Sequence, residues 1–365
     1  MASRALPCPV KHLGAVPIYK PGKPIEEVQR ELGLSGVLKL ASNENPLGPS
    51  PKALAALKRM VHQLHRYPEG GAPLLRAKLA KRFKLSPDHF IFGNGSNEIL
   101  LFAAQAFVRP GAKVVFSARS FAVYNIAARL VGAQPVAVPS PDHRHDLKAL
   151  AKAARGAELV YLCNPNNPTG SWHSDKAIEG LLKAIPSSTL VVLDVAYAEY
   201  CGHPPSQDAA WVRRFPNLVV TRTFAKAYGL AGLRIGYGLA QPWLIAELER
   251  CRQPFNTNAA AQAAAVAALD DQAFVRRSVA VNRAGLKQLQ AGFKALRMQA
   301  LPSRANFIYF TEPRSAAPKG LSWYDWLLEG GVVVRPMEPG FLRVTVGLPA
   351  ENRRFLQRLK QGMQP

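Results

Sequence analysis

The sequence predicts an α/β fold: a mainly parallel sheet of about seven strands with helices on both faces, followed by a smaller α+β domain. Three observations lead there. Between residues 90 and 239, short apolar runs alternate with stretches of helical period. The runs are apolar through their length, as in Leu190-Val191-Val192-Leu193, which is how strands buried on both faces read. After Pro242 the alternation stops, and long helical stretches precede a few clustered strands. The expected division is an N-terminal arm over 1–46 packing on the small domain, a large domain over 47–255 and a small domain over 256–365.

Each element has a local reason. Residues 1–24 are rich in Pro, Gly and Lys and predict an extended arm. Residues 25–33 predict a short helix closed by Gly33. A brief strand over 38–41 runs into the Asn-, Pro- and Gly-rich turn at 42–49. Ser50-Pro51 is a helix start, an N-cap followed by proline at the first helical position, for a helix reaching about residue 66. A second helix covers 73–83. Strand 90–92, the turn GNGSNE at 93–98 and helix 99–107 open the regular region. Strand 113–116, helix 121–131, strand 135–138, helix 147–154 and strand 159–163 follow. Then come NPNNPTG at 164–170, helix 175–184, strands 190–194 and 218–221, a turn carrying Lys226, and strand 234–239. Right-handed βαβ connections make this sheet mainly parallel. Beyond it, helices are expected over 243–252, 259–296 (broken near Asp270), 322–330 and 350–362. Strands are expected over 305–311, 332–335 and 341–346.

Of 365 residues, 48% are apolar and 19% charged, enough for a large core and against global disorder. Lys plus Arg is 47 against 24 for Asp plus Glu, a net charge of +23. That balance permits attraction to nucleic acid, anionic surfaces or anionic metabolites. The basic residues are scattered and not interleaved with aromatics, so a nucleic-acid partner is set aside in favour of a solvated surface or the steering of anionic substrates. Cys8, Cys163, Cys201 and Cys251 form no paired spacing and read as reduced thiols of a cytoplasmic protein. The sequence has no apolar run long enough to cross a membrane. His143 and His145 read as exposed histidines rather than metal ligands.

The unusual residues fall after strands, where ligands of open α/β sheets bind. Lys226 sits among Phe224, Ala225, Ala227 and Tyr228. Taken alone it is a surface lysine of a basic protein. In apolar company its amine is kept neutral, the form that makes a Schiff base with an aldehyde. Gly95, Ser96 and Asn97 can present backbone N–H groups to a phosphate at a helix start. NPNNPTG fixes its backbone so that Asn167 can be aimed. Asp194 ends an aliphatic strand, either as an N-cap or as the partner of a buried cation, and Tyr197 follows three residues on. Together these are the parts a pyridoxal 5'-phosphate site needs. In that reading Asp194 keeps the pyridine nitrogen protonated, Asn167 and Tyr197 bond the ring hydroxyl, Lys226 carries the aldehyde, and Ser96, Thr223 and Arg234 bind the phosphate.

The motifs NENP (43–46), RYPE (66–69), GNGSNE, NPNNPTG, D-x-AY (194–197), TFAKAYGLAGLR-x-GY (223–237) and LRVTVG (342–347) occur in one order. In that order the chain resembles the fold-type I aminotransferases, and within them the histidinol-phosphate aminotransferase group. The resemblance implies a homodimer in which Tyr67 reaches the cofactor phosphate of the other subunit. It implies Phe121 stacked on the pyridine ring and Arg343 binding the anionic end of the substrate. Arg335, Tyr19 and Asn43 also match substrate-side positions. Two departures stand out: Ala225 replaces a hydroxyl residue common before the lysine, and Val195 replaces a common glutamate. The implied reaction transfers the amino group of L-histidinol phosphate to 2-oxoglutarate, a step of histidine biosynthesis, with ping-pong kinetics. Its partners are small anionic amines and 2-oxo acids. An aromatic amino-acid aminotransferase and a threonine-phosphate decarboxylase share the cofactor motifs and stay open at this level.

Overall fold

Residues 7–364 are described in a computed structural model. The N-terminal expectation for 1–6 lies outside the described residues. A short strand, β1 (Leu38–Lys39), precedes the main sheet. The sheet is built from β2 (Phe90–Gly93), β3 (Lys113–Ser117), β4 (Gln134–Val138), β5 (Ala157–Cys163), β6 (Leu190–Asp194), β7 (Leu218–Thr223) and β8 (Gly236–Leu239). Its seven strands are ordered β2-β8-β7-β6-β5-β3-β4. All run in one direction except β8, which is antiparallel to both β2 and β7.

Period-two alternation decides which layer each side chain joins. In β5, Val160 and Leu162 enter one apolar cluster, while Leu159, Tyr161 and Cys163 enter the cluster on the other face. A third cluster lies under a second sheet of order β11-β12-β9, formed by β9 (Phe307–Thr311), β11 (Arg335–Pro336) and β12 (Phe341–Thr345). The helices Gln272–Ala295 and Pro349–Met363 cover it. Strand β10 (Val332–Val333) pairs in parallel with β1. The helix Ala259–Leu269 buries Ala261, Ala264, Ala265 and Ala268 in the core of the large sheet.

Several boundaries differ from expectation for identifiable reasons. The single strand expected over 332–335 is two strands, because Val333 pairs with β1 and Arg335 with β12. The helix expected from 121 begins at Val123. The helix expected to reach residue 66 ends at Met60 and tightens into a 3-10 turn over Val61–Gln63. Asp271 breaks the long helix as expected near Asp270, its side chain accepting the Phe274 N–H. Arg234 does not begin β8. It takes a left-handed φ of 57°, and the strand starts at Gly236. A Cβ on Gly236 would meet the Ser96 nitrogen at 2.4 Å, so glycine is what lets β8 pass against the start of the helix that follows β2.

The helix Pro205–Arg214 was not expected, and it anchors a buried ion cluster behind the site. Arg222 of β7 is 3% exposed. Its Nε donates to Asp208 at 2.6 Å, and it also reaches Glu199 and the His203 carbonyl. Asp208 also bonds the His203 ring at 2.6 Å. Removing Asp208 leaves the buried Arg222 charge with Glu199 alone against it among the described residues. Asp208→Ala is therefore expected to lower unfolding stability by about 3–5 kcal/mol, read by urea denaturation. A midpoint equal to the wild type would mean that the cluster contributes nothing.

Candidate active site

The site gathers where β2, β5, β6 and β7 end. Strand β7 runs out at Thr223, whose Oγ1 accepts the Ala225 N–H at 3.0 Å. The Gly229 N–H then closes the turn on the Lys226 carbonyl at 2.9 Å. Gly229 has φ +72°, and a Cβ on it would strike the Gly48 carbonyl. The turn is thus fixed on both sides of Lys226, whose Nζ donates to the Ser42 carbonyl at 3.3 Å.

Burial pushes the Lys226 amine down to about 8, helped by the Arg343 and Arg234 charges and opposed by Glu44 and Asp194. A lysine depressed in the folded state destabilises that state below its folded pKa. The cost fades as pH rises from about 8 toward the ordinary lysine value, where the unfolded chain still holds the extra proton. The cofactor-free Lys226→Met variant is therefore expected to be more stable than the wild type at pH 7, by roughly 3 kcal/mol. The gap should close by pH 10 to 11 in paired urea titrations, and a gap that does not change with pH would contradict a depressed amine.

Asp194 closes β6 and is 4% exposed. Its Oδ2 accepts from the Tyr124 hydroxyl at 3.0 Å and its Oδ1 from the Ala196 N–H at 3.1 Å. Burial pushes its pKa up, while these donors and Lys226 pull it down. The carboxylate thus faces the cavity already oriented. Tyr124 was not singled out in the sequence. It is fully buried, stacked on Tyr161 at 4.8 Å, and Phe121 meets it edge-on at 5.8 Å. The only sequence signal was its spacing, three residues after Phe121.

On the facing wall, Tyr197 accepts from Asn43 Nδ2 at 2.9 Å, leaving its own proton free, and burial pushes its pKa up. Asn43 has φ 56°, and its backbone N–H bonds Thr345 at 2.9 Å, so this residue ties β12 to the large sheet's loops. Arg343 donates to Asn167 Oδ1 at 2.5 Å and to the Ala41 carbonyl at 2.7 Å. Its Nε is buried without a partner among the described residues. Burial, with Arg335 adding to it, pushes the guanidinium down to about 10. Arg335 stands directly opposite Arg343 across the β11–β12 ladder, and its guanidinium lies 5.5 Å over the Tyr19 ring.

At the other end, the helix Ser96–Phe107 starts inside GNGSNE, earlier than expected. Gly95 has φ +79°, and a Cβ on it would meet the Arg234 guanidinium at 2.5 Å. Arg234 is held by the Ala231 carbonyl at 3.1 Å. A helix start and a guanidinium thus converge on one point, an anion cradle.

One cavity of about 270 Å3 brings these groups together. It is lined by Lys226, Gly95, Ser96, Asn97, Phe121, Asn167, Asp194, Tyr197, Thr223, Arg234, Tyr19, Asn43, Arg335 and Arg343. Tyr67 is the expected site residue that does not line it. It is 84% exposed and stacks on Phe255 at 4.7 Å. Ala225 lines the cavity, and Val195 is 2% exposed in the apolar core, where the side chain it carries fits without a partner. His145 corrects an expectation of exposure. It is 5% exposed, bonded to Ser117 and to the Cys163 carbonyl, and burial pushes it down to about 4. His143 is half-buried. No helix among the described residues is long and apolar enough to cross a membrane.

The family described as aminotransferase class I and II matches residues 35–359. The histidinol-phosphate aminotransferase of Methylobacillus flagellatus is 46% identical over 357 residues, spanning 96% of this chain and 96% of its own. That of Symbiobacterium thermophilum is 47% identical over 350 residues, spanning 94% and 96%. The crystal structure of histidinol-phosphate aminotransferase from Sinorhizobium meliloti in complex with pyridoxal-5'-phosphate shares the fold with a TM-score of 0.88. It is 28% identical, with 98% of this chain and 99% of that one covered. A lysine on a fixed turn, a buried carboxylate and an anion cradle in one cavity agree with these likenesses: the chain belongs to the class I and II aminotransferases.

Proposed function

We propose that this protein is a pyridoxal 5'-phosphate-dependent transaminase that moves the amino group of L-histidinol phosphate to 2-oxoglutarate, giving imidazole-acetol phosphate and L-glutamate in histidine biosynthesis. The observation that carries the reading is the pair Arg335 and Arg343, opposite each other on one ladder, in the same cavity as Lys226 and Asp194. The Arg335 charge already opposes that of Arg343, so the pair calls for an anion, and Arg343 Nε, without a partner among the described residues, supplies a donor.

The cavity fits the cofactor on its own terms. Asp194 is a buried carboxylate aimed at the cavity, the complement of a protonated ring nitrogen. Gly95, having no Cβ, lets the Arg234 guanidinium lie against the start of the Ser96 helix, so that a charged group and backbone N–H groups face the same anion. When bound, the cofactor supplies an electron sink for negative charge at the amine-bearing carbon. The chain's residues do the rest. Gly95, Ser96, Asn97, Thr223 and Arg234 bind the phosphate. Asn167 and Tyr197 bond the ring hydroxyl, and Phe121 covers the ring. Lys226 Nζ, its pKa lowered by burial to about 8, would take the proton from the amine-bearing carbon of the substrate and deliver it to the cofactor's aldehyde carbon. Arg343 and Arg335, with Tyr19 and Asn43, grip a phosphate in one half-reaction and a carboxylate in the other.

A homodimer belongs to the same proposal. Tyr67, exposed on the free chain, reaches the phosphate of the other subunit's site. So does a cytoplasmic location, and so does the division into an arm over 1–46, a large domain over 47–255 and a small one over 256–365. The separate apolar core around β9 and β12 supports that division.

The visible spectrum tests the reading. A yellow protein should bleach with L-histidinol phosphate alone and recover with 2-oxoglutarate. Bleaching by phenylalanine or tyrosine instead would keep the chemistry and move the substrate. A protein that pyridoxal phosphate cannot colour would overturn the proposal.

A further inference from the structure

The turn between β11 and β12 carries a carboxylate with no part in the reaction above. Glu338 accepts from Arg119 Nε at 2.5 Å. Arg119 follows β3 of the large sheet, just before Ser120 and Phe121, which line the cavity. Glu338 follows Arg335 and Met337, which line the facing wall. The ion pair thus joins the two walls at their rims. The Arg119 carbonyl also accepts from Asn166 Nδ2 at 2.8 Å, next to Asn167.

A second contact lies beside it. The ring of His143, on the loop after β4, sits 5.4 Å from Tyr309 of β9 and 5.0 Å from Phe341 of β12. Asp142 and His143 both hold left-handed backbone, φ 51° and 58°. Such strain persists in non-glycine residues only where surrounding contacts over-determine it, and the aromatic slot supplies them. The Tyr309 hydroxyl is buried beside the Arg119–Glu338 pair.

The hairpin needs such a tie. Arg335 and Arg343 repel each other across its ladder until an anion arrives. The hairpin is short: Arg335 and Pro336 pair with Arg343 and Leu342 around a turn closed by the Phe341 N–H on the Glu338 carbonyl at 3.0 Å. We propose that Arg119 and Glu338, seated by His143 in its aromatic slot, are positioning residues that clasp the β11–β12 hairpin to the large sheet and hold Arg335 in place for the anionic substrate. They touch neither substrate nor cofactor.

This rests on the transaminase reading, and the test separates the two. Glu338→Gln, Arg119→Gln and the charge-swapped pair Arg119→Glu with Glu338→Arg are compared with the wild type. In cofactor-free protein, amide hydrogen exchange over residues 335–343 should quicken by about tenfold or more in each single variant and return toward the wild type in the swap. That readout needs no chemistry. In the holoenzyme, KM for L-histidinol phosphate should rise about tenfold in the single variants, with kcat within about threefold and cofactor affinity unchanged. The swap should recover most of KM. Exchange and KM both equal to the wild type would overturn the clasp, as would a swap no better than either single variant. A wild type that turns over no amine, with exchange behaving as expected, would leave the clasp standing and remove the transaminase reading.

Discussion

Lys226→Ala is expected to lose at least about four orders of magnitude in turnover and to keep its fold. Nothing else in the cavity can replace the amine. Among the other groups of the lining, Asp194 is held by two donors, and burial pushes the Tyr197 phenol up so that it keeps its proton. Arginines stay charged at neutral pH even where burial lowers them to about 10. The fold should survive because the Lys226 side chain makes a single hydrogen bond, to the Ser42 carbonyl, while its turn is closed by backbone bonds and by Thr223. Turnover is measured with saturating cofactor, and folding by circular dichroism and urea denaturation. A variant retaining more than about a hundredth of the wild-type rate would remove Lys226 from the chemistry.

Asp194→Asn should cost about a thousandfold in kcat, with a smaller loss of cofactor affinity. The substitution is nearly isosteric, but it removes the negative charge that, in the proposed reading, would keep the ring nitrogen protonated. It also sets an amide N–H against either the Tyr124 hydroxyl or the Ala196 N–H, both of which now donate to the carboxylate. The tyrosine can turn its proton elsewhere, and the backbone N–H cannot. The expected variant therefore folds and colours weakly, and its absorption band reports an unprotonated ring. An unchanged kcat would mean that Asp194 serves only as a cap of the turn after β6.

Much of this was legible because chemistry and backbone use the same residues. Apolar runs such as Val191–Leu193 can only be buried strands, and Pro, Gly and Asn in NPNNPTG can only be a fixed turn. Placing these turns at strand ends predicts a shared cavity without side-chain detail. What could not be read depends on contacts between distant parts of the chain. Tyr124 meets Asp194 across seventy positions, and nothing local in its helix distinguishes it from a core aromatic. His145 looked exposed in a Pro-rich loop, yet its two ring nitrogens are satisfied by Ser117 and Cys163 from neighbouring strands. The split between β10 and β11 is set by two different partner strands, which the run of valines does not reveal.

Strand β8 is the one that runs against the rest of its sheet. Lys226 and Arg234 therefore belong to one hairpin, leaving on β7 and returning on β8, with Thr223 paired to Gly236 at its base. The span between the amine and the guanidinium is set by a short covalent arc on a shared ladder rather than by separate elements packed together. Arg335 and Arg343 have no such tie to Lys226, because they stand on a separate sheet. A shift of that sheet against the large one would change their distance from the amine and leave the internal ruler unchanged.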